Sequence, residues 1–164
     1  MIAEARFVHT NLIAEDWRRL ALFYERVFGC TPVPPARDLK GSWLELATGI
    51  PGASLEGIHL RLPGFGERGP TLEIFQYGQL AERPVTASNR PGFAHVAFSV
   101  ADVEAARAEV VAGGGQPLGQ VVTVPVLGAG SVTFAYVADP EGNIIELQRW
   151  SDVPRQVRRA GDTP

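Results

Sequence analysis

The stretch FVHTNLIAEDWRRLALFYERVFG, residues 7–29, decides the fold, because its outline recurs as FAHVAFSVADVEAARAEVVAGGG at residues 93–115. Each copy begins with a short β-rich run that carries a histidine, His9 in the first and His95 in the second. Each then offers an aspartate as a helix N-cap, apolar residues at three- and four-residue spacing, and a closing glycine. These matched positions lie 86 residues apart, which predicts an internal duplication.

Three strand candidates follow each predicted helix, separated by turns rich in glycine and proline. Glu73 and Glu146 occupy matched places in the last strand of each half, 73 residues apart. The sequence therefore predicts an α+β chain of two βαβββ modules in tandem. The strand candidates are residues 42–47, 55–62 and 71–77 in the first half, and residues 119–126, 131–138 and 143–149 in the second.

The predicted modules are joined by a polar stretch that contains two prolines and shows no periodicity, residues 79–91. The N-terminal module is expected at residues 1–78 and the C-terminal module at residues 92–150. Residues 151–164 hold several arginines and few apolar side chains, so we expect a flexible tail there.

Composition and charge limit the classes of function. The net charge of −3 gives no electrostatic reason to expect nucleic acid or an anionic membrane as a partner. No apolar run approaches the roughly 20 residues that a membrane span needs, and no signal peptide pattern is found. Cys30 is the single cysteine, which fits a reducing compartment. We therefore expect a cytoplasmic protein that binds a small-molecule substrate.

Alternation along the predicted strands places four ligand-type side chains on the face that the helices do not cover, namely His9, Glu73, His95 and Glu146. Both glutamates have apolar neighbours on either side, and a carboxylate there is costly to bury unless it is paired, solvated or bound to a cation. Any one of these residues alone is usually an ordinary surface side chain. Their recurrence in both halves favours one divalent transition metal, because two imidazoles are too much nitrogen for a calcium or magnesium cage.

Four motifs resemble the vicinal oxygen chelate superfamily, which includes glyoxalase I, methylmalonyl-CoA epimerase, extradiol dioxygenases and bleomycin resistance proteins. They are FVHTNL at 7–12, GPTLEIFQY at 69–77, GFAHVAFSV at 92–100 and DPEGNIIEL at 139–147. The similarity covers residues 5–150, and the His-Glu-His-Glu set is most similar to glyoxalase I and the epimerase. The resemblance implies a cupped mixed sheet with the helices on its outer face.

The same resemblance implies a metal-dependent lyase or isomerase that removes a proton next to a metal-bound carbonyl of a thioester or thiol adduct. His9 and His95 would be fixed ligands of one divalent ion (Zn, Ni, Co, Fe or Mn), and Glu73 or Glu146 would be both ligand and general base. Two alternatives stay open. One is a non-haem Fe(II) extradiol-type dioxygenase that uses His9, His95 and Glu146, and the other is a small-molecule binding or resistance protein of the same fold.

Several further side chains are candidates for substrate binding: Asn11, Trp43, His59, Arg61, Phe75 and Tyr77. The aromatic members could line an apolar pocket, although a core or interface role would explain them without any ligand. Arg37, Lys40 and Arg61 could meet the carboxylates of glutathione, although ordinary solvated charge is the favoured explanation for them. Modules of this size leave unpaired strand edges, so we also expect a homodimer.

Overall fold

The structure, a computed structural model, describes residues 4–151. In the first half the elements are β1 (His9–Ile13), α1 (Trp17–Phe28), β2 (Thr31–Lys40), α2 (Ser42–Thr48), β3 (Ser54–Arg61) and β4 (Thr71–Tyr77). In the second half they are β5 (His95–Ser99), α3 (Val103–Ala112), β6 (Gln116–Pro117), β7 (Val122–Val126), β8 (Gly130–Ala138) and β9 (Ile144–Ser151). Within this range no helix is long and apolar enough to cross a membrane. The rest of the predicted tail, residues 152–164, lies outside the described residues.

The α+β class is confirmed, and each half of the chain forms its own mixed sheet. The strand order is β1-β4-β3-β2 in the first sheet and β5-β9-β8-β6 in the second, where β7 also pairs with β8. In both sheets the first strand runs parallel to the last strand, and within residues 4–151 it has no hydrogen-bonded neighbour on its other side. The two strands that carry the histidines, β1 and β5, are therefore matched edge strands.

The predicted helix caps are present in both halves. The Asp16 carboxylate accepts hydrogen bonds from the N–H groups of Arg18 and Arg19, and α1 ends at Gly29 in the left-handed conformation, with φ of 67°. Asp102 caps α3 in the same way, because its carboxylate accepts from the N–H of Ala105. Capping satisfies N–H groups that have no partner within the helix, so these short motifs fix where each helix begins.

The prediction of a strand at residues 42–47 is wrong, because Ser42–Thr48 form the short helix α2. Gly41 and Gly49, both with positive φ, bound this helix, and Leu44 is its buried residue. A short apolar run such as SWLELA fits a strand and a helical turn equally well, so periodicity does not separate the two.

The corresponding strand is β2, in a proline-rich stretch that lies outside the predicted strands. β2 is an edge strand, and its register with β3 is interrupted between Val33 and Arg37, around the adjacent prolines Pro34 and Pro35. Proline lacks an N–H, so a strand can contain it at an edge or a bulge without losing a ladder hydrogen bond. In the second half β7 begins at Val122, inside the predicted strand 119–126, and the two-residue β6 precedes it.

One apolar core joins the two halves. It contains α1, α3 and the helix-facing side chains of both sheets, with Leu20, Ile74, Val110 and Ile145 all fully buried. Within it the ring of Phe28 stacks on the ring of Phe98 from the other half, with centroids 4.1 Å apart. This core covers only the helix-facing side of each sheet.

A buried hydrogen bond also ties the halves together. The Tyr24 hydroxyl donates to the Asp139 carboxylate at 3.0 Å, and the N–H groups of Glu141 and Asn143 donate to the same carboxylate at 2.9 Å. Burial, together with Asp139, raises the pKa of Tyr24 well above its ordinary value, so the hydroxyl keeps its proton. Beside it, the Glu141 carboxylate accepts from the N–H groups of the residues that precede α1, Glu15 and Asp16, at 2.8 and 2.9 Å.

We expect Tyr24→Phe to lower the free energy of unfolding by about 2 kcal/mol, the typical contribution of a hydrogen bond to a charged group. Urea denaturation measures the change. Tyr77→Phe is the matched control, since Tyr77 is only partly buried, and it should leave the midpoint nearly unchanged. An unfolding midpoint for Tyr24→Phe equal to that of the wild type would show that this contact does not stabilise the joined halves.

Candidate metal centre

Glu73, in the middle of β4, is a carboxylate with polar partners on both oxygens. The residue is buried, with 8% of its surface exposed. The strand register sets Asn11 of β1 and His59 of β3 directly beside it. His59 Nε2 lies 3.1 Å from Oε1, His9 Nε2 lies 3.4 Å from Oε2, and the Asn11 amide donates to Oε2 at 3.3 Å. These contacts explain how a carboxylate is tolerated between apolar neighbours.

Glu146 of β9 forms the equivalent pair in the second half. His95 Nε2 lies 3.0 Å from Glu146 Oε2. The register sets Ala97 of β5 and Tyr136 of β8 beside Glu146, in the places that Asn11 and His59 take in the first half. The surroundings of Glu146 are therefore less polar.

Tyr136 is a site residue that the sequence analysis missed. Its ring lies 5.3 Å from the ring of His95, and Phe134 packs edge-to-face against it. The signal was available, because Tyr136 stands opposite Glu146 in the strand pairing as His59 stands opposite Glu73. Matching the halves strand by strand, as well as through their first strands, would have found it.

The structure brings each of the predicted histidines to its glutamate, but it leaves the two pairs separate. Among residues 4–151, no group of three or more His, Cys, Asp or Glu side chains is arranged so that it could hold a metal ion. The meeting of all four residues at one ion stays a prediction.

The donor atoms within each pair are nevertheless suited to a shared ion. Nitrogen and oxygen ligands that bind one metal at about 2.0–2.2 Å lie roughly 3 Å from each other. The separations of 3.4 Å between His9 and Glu73 and 3.0 Å between His95 and Glu146 are close to this value. Each pair is therefore a two-donor half-site, and two half-sites supply the N₂O₂ donor set that suits divalent transition metals.

The two half-sites lie on strands whose ends approach each other. Segments 12–15, at the end of β1, and 93–96, at the start of β5, line the same cavity of about 630 Å³, together with part of the stretch between the sheets. His95 is among the residues of this lining. The two edge strands therefore approach each other beside one of the half-sites.

The other substrate candidates lie in several different environments. Phe75 and Tyr77 pack against a small apolar cluster made by Leu44, Ala53 and Leu55, which is a core role for them, and the Phe75 ring also contacts the ring of His59. Trp43 lies on α2 with 54% of its surface exposed. Arg61 is the last residue of β3, opposite Thr71.

His59 is electrostatically distinct from an ordinary surface histidine. Burial lowers the pKa of His59 below its ordinary value of 6.5, and the nearby Glu73 carboxylate partly opposes this, while Arg37 and His9 add to it. The imidazole is therefore neutral at neutral pH.

Comparison with known proteins gives a family and a fold. Residues 6–147 match the family model described as the Glyoxalase/Bleomycin resistance protein/Dioxygenase superfamily. A glyoxalase family protein from Bacillus cereus aligns with a TM-score of 0.71 at 18% identity, covering 92% of this chain and 99% of that one. The V278E mutant of glyoxalase I from Zea mays aligns with a TM-score of 0.61 at 21% identity, covering 87% of this chain and 45% of that one. TioX from Micromonospora sp. ML1 aligns with a TM-score of 0.53 at 18% identity, covering 90% and 100%. A search of curated proteins finds no match.

In the metal-free protein we expect His59 to titrate below pH 6.5. Glu73→Gln should lower the pKa of His59 further, because that change removes the negative charge that stabilises the protonated ring. NMR titration of the imidazole resonances measures both values. Glu56→Gln is the control, since Glu56 lies on the same strand but contacts Arg18 and Trp17 instead. A rise in the pKa of His59 on Glu73→Gln would contradict the described geometry.

Proposed function

We propose, because this chain belongs to the glyoxalase, bleomycin resistance protein and dioxygenase superfamily, that it is a metal-dependent lyase or isomerase of the glyoxalase and epimerase type. Its reaction is removal of a proton from the carbon next to the carbonyl of a thioester or a thiol adduct. The observation that carries the proposal is the duplicated contact between histidine and glutamate, 3.4 Å in the first half and 3.0 Å in the second.

All four residues would hold one divalent ion, with Zn, Ni, Co, Fe and Mn all compatible with two imidazoles and two carboxylates. Support comes from the equivalent positions of the two pairs, since each histidine lies on the first strand of its sheet and each glutamate on the strand paired with it. When bound, such an ion supplies Lewis-acid stabilisation of the negative charge that develops on a carbonyl oxygen.

The remaining chemistry belongs to the chain's own side chains. His9 and His95 orient the ion and keep it at the face that the helices do not cover. Glu73 and Glu146 are the candidate bases, because a carboxylate within hydrogen-bond reach of the substrate carbon can accept its proton. Both glutamates are largely shielded from water, with 11% and 18% of their side chains exposed. Little water therefore competes with the substrate for the carboxylates.

A dioxygenase that uses only His9, His95 and Glu146 is less well supported. Such chemistry needs open coordination positions for substrate and O₂. Glu73 contacts His9 directly and would take one of those positions. A metal-free binding protein would not account for the recurrence of the histidine–glutamate pair in both halves.

We expect Glu73→Gln and Glu146→Gln to separate ion binding from turnover. At least one variant should keep its ion and lose about 10²–10⁴-fold in kcat, the usual contribution of a general base. Elemental analysis gives the ion content, and a screen of glutathione hemithioacetals and acyl thioesters gives turnover. Glu56→Gln, a strand glutamate paired with Arg18, is the matched control and should behave as the wild type. Unchanged turnover in both site variants would contradict the proposal, and oxygen uptake with a catechol would favour the dioxygenase.

We also propose that the protein is a homodimer. The apolar side chains of Phe7, Val8 and Phe93 have 68%, 62% and 73% of their surfaces exposed, and they directly precede the edge strands β1 and β5. Exposed apolar residues beside an unpaired strand edge are typical of a surface that another chain covers.

Light scattering at micromolar concentration should therefore give the mass of a dimer. Phe93→Arg should shift the protein towards the monomer, because it places a charge in the apolar contact. Phe65→Arg is the matched control, since Phe65 is similarly exposed, at 63%, in the turn between β3 and β4. A monomeric wild type would contradict the dimer, and a dimer that Phe93→Arg leaves intact would contradict this contact surface.

A further inference from the structure

The two halves match closely in their histidine and glutamate pairs, but they differ at the position opposite each glutamate. In the first half this position is His59, and in the second half it is Tyr136. His59 Nε2 lies 3.1 Å from Glu73 Oε1, so both oxygens of Glu73 have nitrogen neighbours. For Glu146 the described residues give one such contact, from His95 to Oε2.

We propose that His59 is a positioning residue that holds Glu73 Oε1 and thereby directs Oε2, the oxygen nearest His9, towards the ion. This role rests on the proposed metal site. It does not make His59 a ligand, because its Nε2 is engaged by the opposite oxygen of the carboxylate.

The contacts around the His59 ring support a fixed orientation. Its Nδ1 lies 3.5 Å from the Thr71 hydroxyl, and its ring meets the Phe75 ring edge-to-face at 5.7 Å. The Thr71 hydroxyl can donate to Nδ1, which leaves the hydrogen of the neutral ring on Nε2. Nε2–H then donates to Glu73 Oε1, so the relay runs from Thr71 through His59 to Glu73.

This relay restricts the carboxylate before any ion arrives. A glutamate side chain can otherwise turn about its last torsion and present either oxygen. With Oε1 held by His59, only Oε2 remains for the ion, and the entropy of ordering the ligand has already been lost in the metal-free protein. Partners of this kind behind a ligand typically change metal affinity by 10–100-fold. Tyr136 does not supply an equivalent donor to Glu146, so the effect belongs to the first half.

The test compares Co²⁺ affinity, measured by competition with a chelator, in the wild type and in His59→Leu, His59→Gln and Glu56→Gln. We expect His59→Leu to weaken binding by about 10–100-fold. His59→Gln should recover most of the affinity, because the amide N–H can donate to Oε1. Glu56→Gln, on the same strand as His59 but paired with Arg18, is the matched control and should bind as the wild type does.

A second measurement needs neither metal nor a variant. Long-range ¹H–¹⁵N NMR of the metal-free wild type should show His59 as the Nε2–H tautomer. This readout keeps the proposal testable if His59→Leu fails to fold.

The outcomes are distinguishable. Three results would each overturn the role of His59 alone. The first is tight Co²⁺ binding that His59→Leu leaves unchanged, and the second is a His59→Gln variant that binds no better than His59→Leu. The third is an Nδ1–H tautomer of His59. A wild type that takes up no Co²⁺ would overturn the proposed metal site, and this role with it.

Discussion

The burial of the Glu73 carboxylate constrains the rest of the site. A charged group in the middle of a strand, with apolar side chains on both sides, is stable only when polar atoms surround it. β1 and β3 supply those atoms from the strands on either side of β4, through His9, Asn11 and His59. Loss of a hydrogen-bond partner from a buried polar group typically costs about 1–3 kcal/mol. One carboxylate therefore determines which polar side chains are needed on three adjacent strands.

The second half contains an equivalent glutamate, Glu146, but the residues around it differ. Glu146 contacts His95, and Tyr136 stands where the first half has His59. The shared core of α1, α3 and both sheets holds the halves together, and the Tyr24–Asp139 hydrogen bond joins them a second time. These contacts all lie on the helix side, and on the opposite face of the first sheet the apolar cluster of Leu44, Ala53 and Leu55 covers Phe75 and Tyr77 but not the histidine of the edge strand β1.

Much of this arrangement could be predicted from the sequence. Alternation and the repeat identified both pairs, because a strand has only two faces and a matched position in a duplicated module has a matched neighbour. Both helix caps were predictable because capping depends on a few adjacent residues. The strand at β2 was missed because its prolines are tolerated only through its edge position, which is a property of the finished sheet.

The remaining features depend on contacts distant in the sequence. α2 was mistaken for a strand because seven residues are too few for periodicity to distinguish the two. Tyr136 was missed because the two halves carry different residue types at this position, so only the correspondence of β3 with β8 marks it as the counterpart of His59. Packing between the halves sets how closely the two histidine strands approach, so no strand pattern could establish whether His9 and His95 share an ion.

The count of bound ions in half-site variants tests the central claim most directly. The wild type, His9→Ala and His95→Ala are loaded with Zn²⁺ or Co²⁺, freed of excess ion by gel filtration, and analysed for metal per chain. If both pairs hold one ion, the wild type carries one equivalent and either substitution alone removes it. The shared site would be contradicted if the wild type carried two equivalents of metal and each variant retained one. It would also be contradicted if the wild type carried no ion.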